Sequence, residues 1–279
     1  MYKVLDAGAL RLPGTVAELA PLAVKYGFQG INCPTTILED ANQAKEALAA
    51  LQHYGLQWGV LPTPFDIFTD VEDLPGEIEK LKRWAEAGEK LGVKHSYNHI
   101  WSSHNSRAFD ENFEWHVKRL ELVQEIFKNH GISYGLEFLG PHHLRSNKHL
   151  FVHTITGVLA IADAAGGYAG VLFDSYHWFC SGGRLDDLYF LATHPERFVA
   201  MHLNDAGKDI PVADLQDMER CMPMSTNVID TVLLYNTLKK AGCKGPVLIE
   251  PMEPTWTLFS KLPVEDCIRQ CGEVMNLFP

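Results

Sequence analysis

The chain has no apolar run approaching the ~18 residues that a membrane helix needs, so no membrane-embedded function is expected. It shows no basic stretch followed by a long apolar one at its start; Met1-Tyr2-Lys3-Val4 leads straight into a strand-like segment, which predicts no secretory signal. Its six cysteines, at 33, 180, 221, 243, 267 and 271, form no Cys-x-x-Cys pair. That spacing argues against a thiolate zinc site or a disulfide framework, and for reduced thiols in a cytoplasmic protein. Positive charge is also scarce: 24 Lys and Arg stand against 35 Asp and Glu, for a formal net charge of −11. Such a surface repels phosphate backbones, so no nucleic-acid partner is expected. No glycine-rich phosphate loop follows an early strand, since Asp6-Ala7-Gly8 is too short a match. No stretch rich in Pro, Gly or Ser divides the chain into parts.

What is present is a regular alternation. Hydrophobic residues make up 46% of the 279, enough for a large core. Strand-like stretches fall at 3–6, 30–33, 56–61, 93–100, 134–139, 171–174, 198–203 and 247–250. Helical stretches fall between them at 15–26, 39–54, 77–91, 110–130, 154–165, 185–193, 228–241 and 264–277, with Asp110 as the expected N-cap of the fourth. A long irregular loop separates 204 from 227. Eight strand–helix units predict an α/β protein built as one (β/α)8 TIM barrel spanning 1–279. Catalytic groups of such barrels lie at the C-terminal ends of the strands.

Four residues of metal-ligand type stand at the ends of the last four strands, each after a short apolar run: Glu137, Asp174, His202 and Glu250. A charge ending a buried strand is costly unless it pairs or binds a metal. One such glutamate would read as a salt bridge at the barrel mouth. Four on successive strands predict a single shared divalent-metal site. Three carboxylates and an imidazole suit a hard or borderline cation and leave room for substrate.

At these residues the chain resembles the xylose-isomerase-like barrel superfamily. The stretches that carry the resemblance are Gly135–Pro141, Val171–Gly183, Met201–Ala206 and Gly245–Pro254. It covers essentially the whole chain, strongest after about residue 90, and is similar in particular to the sugar phosphate isomerase/epimerase branch, with inosose isomerases and dehydratases, ketose 3-epimerases and C-glycoside deglycosidase catalytic subunits as relatives. The resemblance implies that Glu137, Asp174, His202 and Glu250 hold one ion, Mn2+ foremost, with Mg2+, Co2+ or Zn2+ as alternatives. It implies that His177, in an Asp-x-x-His pattern, supports the site or touches substrate. Asp205, three residues beyond His202, counts as a further substrate contact. The chain departs from the family where a Pro-Gly-Glu-Gly-x-Ile-Asp loop is usual: it reads Pro223-Met224-Ser225-Thr226-Asn227-Val228-Ile229-Asp230. It also lacks the extra Asp-x-His pair of endonuclease IV.

Other residues are candidates by chemistry alone. His142 and His143 follow Glu137 closely, and the imidazole side chain is of a type that serves as acid or base. Arg145 could orient an oxyanion. His99 and Trp101, after the fourth strand, and Trp178 on a later loop could line a sugar pocket with polar and aromatic surface. His53, His116, His130 and His194 fall in or beside helices and read as structural.

These residues predict an enzyme acting on a small sugar or keto-polyol. A divalent ion would polarise a carbonyl, and Glu137 and Glu250 would remove and return the neighbouring proton. The alternative expectation is a metal-dependent lyase on 3-oxo-glycosides, in which His142 or His143 protonates the leaving group and a small β-rich partner covers the site. A homo-oligomer is the other assembly considered.

Overall fold

A computed structural model describes residues 1–279. Eight parallel strands form the barrel wall: β1 Tyr2–Leu5, β2 Gly30–Ile31, β3 in two pieces at Gln57–Trp58 and Val60–Leu61, β4 His95–Ile100, β5 Ser133–Phe138, β6 Gly170–Asp174, β7 Phe198–Leu203 and β8 Pro246–Ile249. Their order around the wall is β3-β2-β1-β8-β7-β6-β5-β4, back to β3. The first piece of β3 pairs with β2 and the second with β4, so β3 closes the ring. The break falls at Gly59, where a side chain would meet Asn32 Oδ1 at 2.5 Å and Val4 at 2.6 Å inside the barrel. The single strand expected at 56–61 is therefore split by a residue that the crowded interior restricts to glycine.

The helices are α1 Val16–Lys25, α2 Ala41–Tyr54, α3 Leu74–Leu91, α4 Phe109–Asn129, α5 Ile155–Ala164, α6 Ser175–Cys180, α7 Leu185–Thr193, α8 Thr231–Lys240, α9 Thr255–Phe259 and α10 Val264–Met275. Local chemistry sets their ends. Thr15 and Glu18 form a reciprocal capping box at α1. Asp40 caps α2 and Asp73 caps α3, the latter three residues earlier than the apolar period suggested because Pro75 fits the first turn. Asp110 is not the cap of α4: the helix begins at Phe109, and Asp110 and Glu111 sit in the first turn, where they favour the helix dipole. Likewise Asp230 caps α8, which starts at Thr231 rather than 228.

Two apolar regions hold the barrel. The larger lies between wall and helices. The smaller, Val4, Val60, Leu172, Ala200 and Leu248, with Tyr2 and Tyr97 against it, fills the barrel interior. It forms a dry floor beneath the C-terminal strand ends. On β4 the burial alternates, with Ser96, Asn98 and Ile100 turned to the helices, so His95, Tyr97 and His99 face the interior. No helix is long and apolar enough to cross a membrane.

Candidate metal centre

Glu137 and His202 lie one residue inside the ends of β5 and β7, Asp174 ends β6, and Glu250 follows β8. The four strands are adjacent, and all four side chains turn inward above the apolar floor. One ligand-type atom from each lies within 4.8 Å of the others. His202 Nδ1 stands 3.2 Å from Glu137 Oε1, 3.2 Å from Glu250 Oε2 and 3.8 Å from Asp174 Oδ2. The tetrad predicted from the strand ends is thus one cluster.

Its electrostatics are those of a cation cradle. His202 Nδ1 and Glu137 Oε1 are buried and have no hydrogen-bond partner. Leaving such groups unpaired costs about 1–3 kcal/mol each, a deficit that a coordinated cation removes. Burial would lower the His202 pKa, but Glu250 and Glu137 outweigh it and hold it well above the usual histidine value. Burial pushes Asp174 up to about 7, against the pull of Arg220 and with Glu137 and Glu250 adding to the rise. Burial would raise Glu250 as well, yet His202 and Arg220 hold it down at about 2. Once a cation displaces the protons that His202 and Asp174 retain here, three carboxylates, one guanidinium and a neutral imidazole sum to the charge that one divalent ion cancels. The donor set therefore fits a divalent ion.

Arg220 is the residue that sequence reading missed. It is buried, and its Nη1 donates to Glu250 Oε2 at 2.5 Å and to Asp174 Oδ2 at 3.2 Å. Nη2 donates to Asp217 Oδ1 at 2.7 Å and meets His177 Nε2 at 3.2 Å. It sits in the stretch expected to be an irregular loop. That stretch is stitched down by a backbone bridge between Asp205 and Cys221 and by the Met252 N–H donating to Arg220 O at 2.9 Å.

The open space beside the tetrad is a cavity of about 560 Å³. Glu250 lines it, as do Asp6, Asn32, Thr63, Tyr97 and His99, and no lysine or arginine does. Asp6 and Asn32 were also missed: Asn32 Nδ2 donates to Asp6 Oδ2 at 2.6 Å, and its own Oδ1 accepts the Val60 N–H at 2.7 Å. Tyr97 lies edge-on to the His202 ring at 5.2 Å.

The remaining candidates divide. His99 lines the cavity as expected. Trp101 stands edge-on to His99 at 4.8 Å, and its Nε1 donates to Asp66 Oδ2 at 3.0 Å. The other candidates do not line this cavity, and neither do Glu137, Asp174 and His202. His177 is fully buried behind Arg220, its pKa depressed by burial and by that guanidinium, and its Nδ1 meets the Gly140 N–H at 3.3 Å. Gly140 must be glycine here, because a Cβ would lie 2.0 Å from His177 O. Asp205 is buried and accepts the N–H groups of Ala206, Thr226, Asn227 and Ile229, which pins the loop that departs from the family pattern. Arg145 donates to Gly140 O and, at 2.8 Å, to Cys180 O. Trp178 is buried with Nε1 on Arg184 O at 3.0 Å. His142 and His143 occupy a single 3-10 turn, His142–Arg145, and neither lines the cavity. His142 is exposed; His143 is partly buried, with Nδ1 unpartnered.

Residues 20–266 match the family model of the xylose isomerase-like TIM barrel. The chain belongs to that family. An inosose isomerase of Bacillus licheniformis is 26% identical over 196 residues, 70% of this chain and 66% of the relative, so the match spans just under two thirds of that protein. Among solved xylose isomerase-like barrels, a xylose isomerase domain protein from Alicyclobacillus acidocaldarius superposes with a TM-score of 0.82 at 25% identity, covering 100% of this chain and 98% of that one. An IolI protein crystallised with a zinc atom superposes with a TM-score of 0.79 at 20% identity, over 99% of this chain and 96% of that one.

Proposed function

We propose that this xylose isomerase-like protein is a divalent-metal-dependent isomerase or epimerase of an uncharged sugar or keto-polyol. The observation that carries the proposal is the convergence of Glu137, Asp174, His202 and Glu250, with two buried unpartnered ligand atoms, at the edge of a cavity without a cationic residue. The inosose isomerase relative and the zinc atom in the IolI neighbour support the same reading. A divalent ion held by the four residues supplies Lewis acidity to a substrate carbonyl and acidifies the C–H beside it.

The chain's own residues do the rest. Glu137 and Glu250 come from strands three places apart, with Asp174 and His202 between them, so they flank the substrate carbon on two sides. One takes the proton; the other, or the same one, returns it. Return to the other face of the same carbon gives an epimer, and return to the neighbouring carbon gives an isomer. Arg220 neutralises Asp174 and Glu250 and keeps the second glutamate in place. The apolar floor keeps water from below. A phosphorylated or carboxylated substrate would bring its charge into a cavity that Asp6 and Glu250 line and no Lys or Arg does, which disfavours it. The elimination reading would need His142 or His143 beside the metal, and neither makes a hydrogen bond or ion pair with the tetrad.

The test is solvent deuterium uptake. Ketoses, inososes and 3-oxo-glycosides are incubated in D2O with the protein and Mn2+, then with chelator. Exchange into one carbon beside the carbonyl, abolished by chelator, is the expected result. Metal-dependent release of an aglycone without exchange would overturn the isomerase reading.

A further inference from the structure

The cavity wall opposite Glu250 contains a built device that the proton-transfer scheme does not use. His99 faces inward from β4, in register with Glu137 on β5. Its Nε2 is buried and stands 3.3 Å from Asp66 Oδ2, an ion-pair distance out of line for a hydrogen bond. Its Nδ1 makes no hydrogen bond and is not among the buried polar atoms, so it is the ring edge left to the cavity that His99 lines. Asp66 is itself fixed. Its Oδ2 accepts Trp101 Nε1 at 3.0 Å, its Oδ1 accepts the Phe68 N–H at 3.2 Å, and its carbonyl accepts the Thr69 hydroxyl at 2.9 Å. Trp101 then packs edge-on against the His99 ring at 4.8 Å, with an interplanar angle of 89°. Two side chains, each from a loop, therefore hold one imidazole, itself on a strand, in one orientation. A solvated histidine has no need of such support.

We propose that Asp66 and Trp101 are positioning residues that lock His99 with Nδ1 presented to the cavity, where it hydrogen-bonds one hydroxyl of the neutral polyhydroxylated ketone and fixes which carbon lies against the glutamates. A carboxylate beside Nε2 keeps the proton on that nitrogen and so decides what Nδ1 offers. A hydroxyl both donates and accepts, so it satisfies Nδ1 in either protonation state. Sites built to bond a hydroxyl discriminate strongly against analogues that lack it, because the polar group is then left unpaired. The role is recognition, and no proton transfer is assigned to His99. The inference rests on the isomerase/epimerase reading and names the group that would select among its substrates.

Asp66→Asn tests it, because the amide keeps the shape but has one acceptor oxygen: with that oxygen kept for the Phe68 N–H, its NH2 faces both Trp101 Nε1 and His99 Nε2, and the support of the ring is lost. The probes are 2-keto-myo-inositol and its monodeoxy analogues, with Mn2+-loaded protein, read by calorimetric binding and by deuterium exchange. One hydrogen bond of this kind is worth about a tenfold change in binding. Expected are an about tenfold higher KM and Kd for 2-keto-myo-inositol in Asp66→Asn and His99→Phe, a smaller rise in Trp101→Phe, and an exchange rate at saturation within about threefold of wild type, by the same hydrogen-bond scale. Metal content should stay at the wild-type level. One monodeoxy analogue should bind wild type and variants equally, which identifies the hydroxyl. Unchanged KM and Kd in both Asp66→Asn and His99→Phe, with exchange intact, overturn the positioning device and leave the isomerase reading standing. Neither binding nor exchange of any probe by wild type overturns both.

Discussion

At the residue scale the decisive groups are two that lack partners. His202 Nδ1 and Glu137 Oε1 lie 3.2 Å apart, buried and unbonded. A protein does not maintain such a deficit for stability; a coordinated ion resolves it. Asp174 differs from the other ligands because it also holds structure. Its Oδ1 caps α6 through the N–H groups of Tyr176 and His177, and its Oδ2 accepts from Asn204 and Arg220. Asp174→Ala should therefore cost both metal and stability. Asp174→Asn keeps the cap but sets an NH2 against the Asn204 and Arg220 donors, so metal affinity should fall by at least about 10²-fold, beyond the effect of a supporting residue, and Tm of the chelated protein should fall too, by less than in Asp174→Ala. Metal titration and calorimetry on the two variants check this. Glu137→Gln and Glu250→Gln should lower turnover by about 10²–10⁴-fold, and Ala variants of His142 and His143 by less than about threefold, as for surface positions. Steady-state rates decide the pair: a large loss at either histidine would return the acid/base role to that turn.

At the scale of elements, the strand ends carried the site and the loops concealed its support. An apolar run ending in Glu, Asp or His is visible in a sequence because burial and charge conflict there. That conflict singles out, in the sequence alone, the four residues that the fold brings into one cluster. Arg220 has no such mark. It lies among polar residues of an irregular stretch, and only the backbone bridge of Asp205 to Cys221 delivers it to Asp174 and Glu250. Helix α6 was equally hidden, since its six residues are too few for a period, and its start is set by Asp174 acting as cap. Asp205 was legible as a charge but not as the anchor of four N–H groups. The Arg220 element yields its own prediction. In metal-free protein this guanidinium is a main counter-charge for the carboxylates, and removing one partner of a buried ion pair typically costs about 3–5 kcal/mol. Arg220→Met should lower Tm strongly in chelator and much less with saturating Mn2+, which then supplies the positive charge. Equal losses in both conditions would mean that Arg220 serves the loop alone.

For the whole molecule, the same electrostatics tie stability, metal and pH together. His202 has a folded-state pKa well above its ordinary value because Glu250 and Glu137 outweigh the effect of burial. A group raised in this way contributes stability fully below its unfolded pKa and loses it as pH rises through the folded one. Asp174, raised by burial to about 7, acts with the same sign at lower pH. Half-buried His95 and buried His116, both lowered by desolvation to about 4, act with the opposite sign, but their effect is complete once the unfolded chain has lost its histidine protons near pH 6.5. Between pH 7 and 8.5 the tetrad therefore dominates among these groups, and chelated protein should lose stability as pH rises. Metal reverses the trend. Binding must displace the proton on His202, so apparent affinity should rise by up to about tenfold per pH unit for each proton released. The Tm increase on adding Mn2+ should accordingly be larger at pH 8.5 than at pH 7, while the chelated protein moves the other way. Calorimetric scans at the two pH values, with and without the ion, give both slopes, and proton release on titration in two buffers of different ionisation enthalpy counts the protons. A metal-induced shift independent of pH would show that His202 is already neutral without the ion, and that the imidazole is held by something other than the two glutamates.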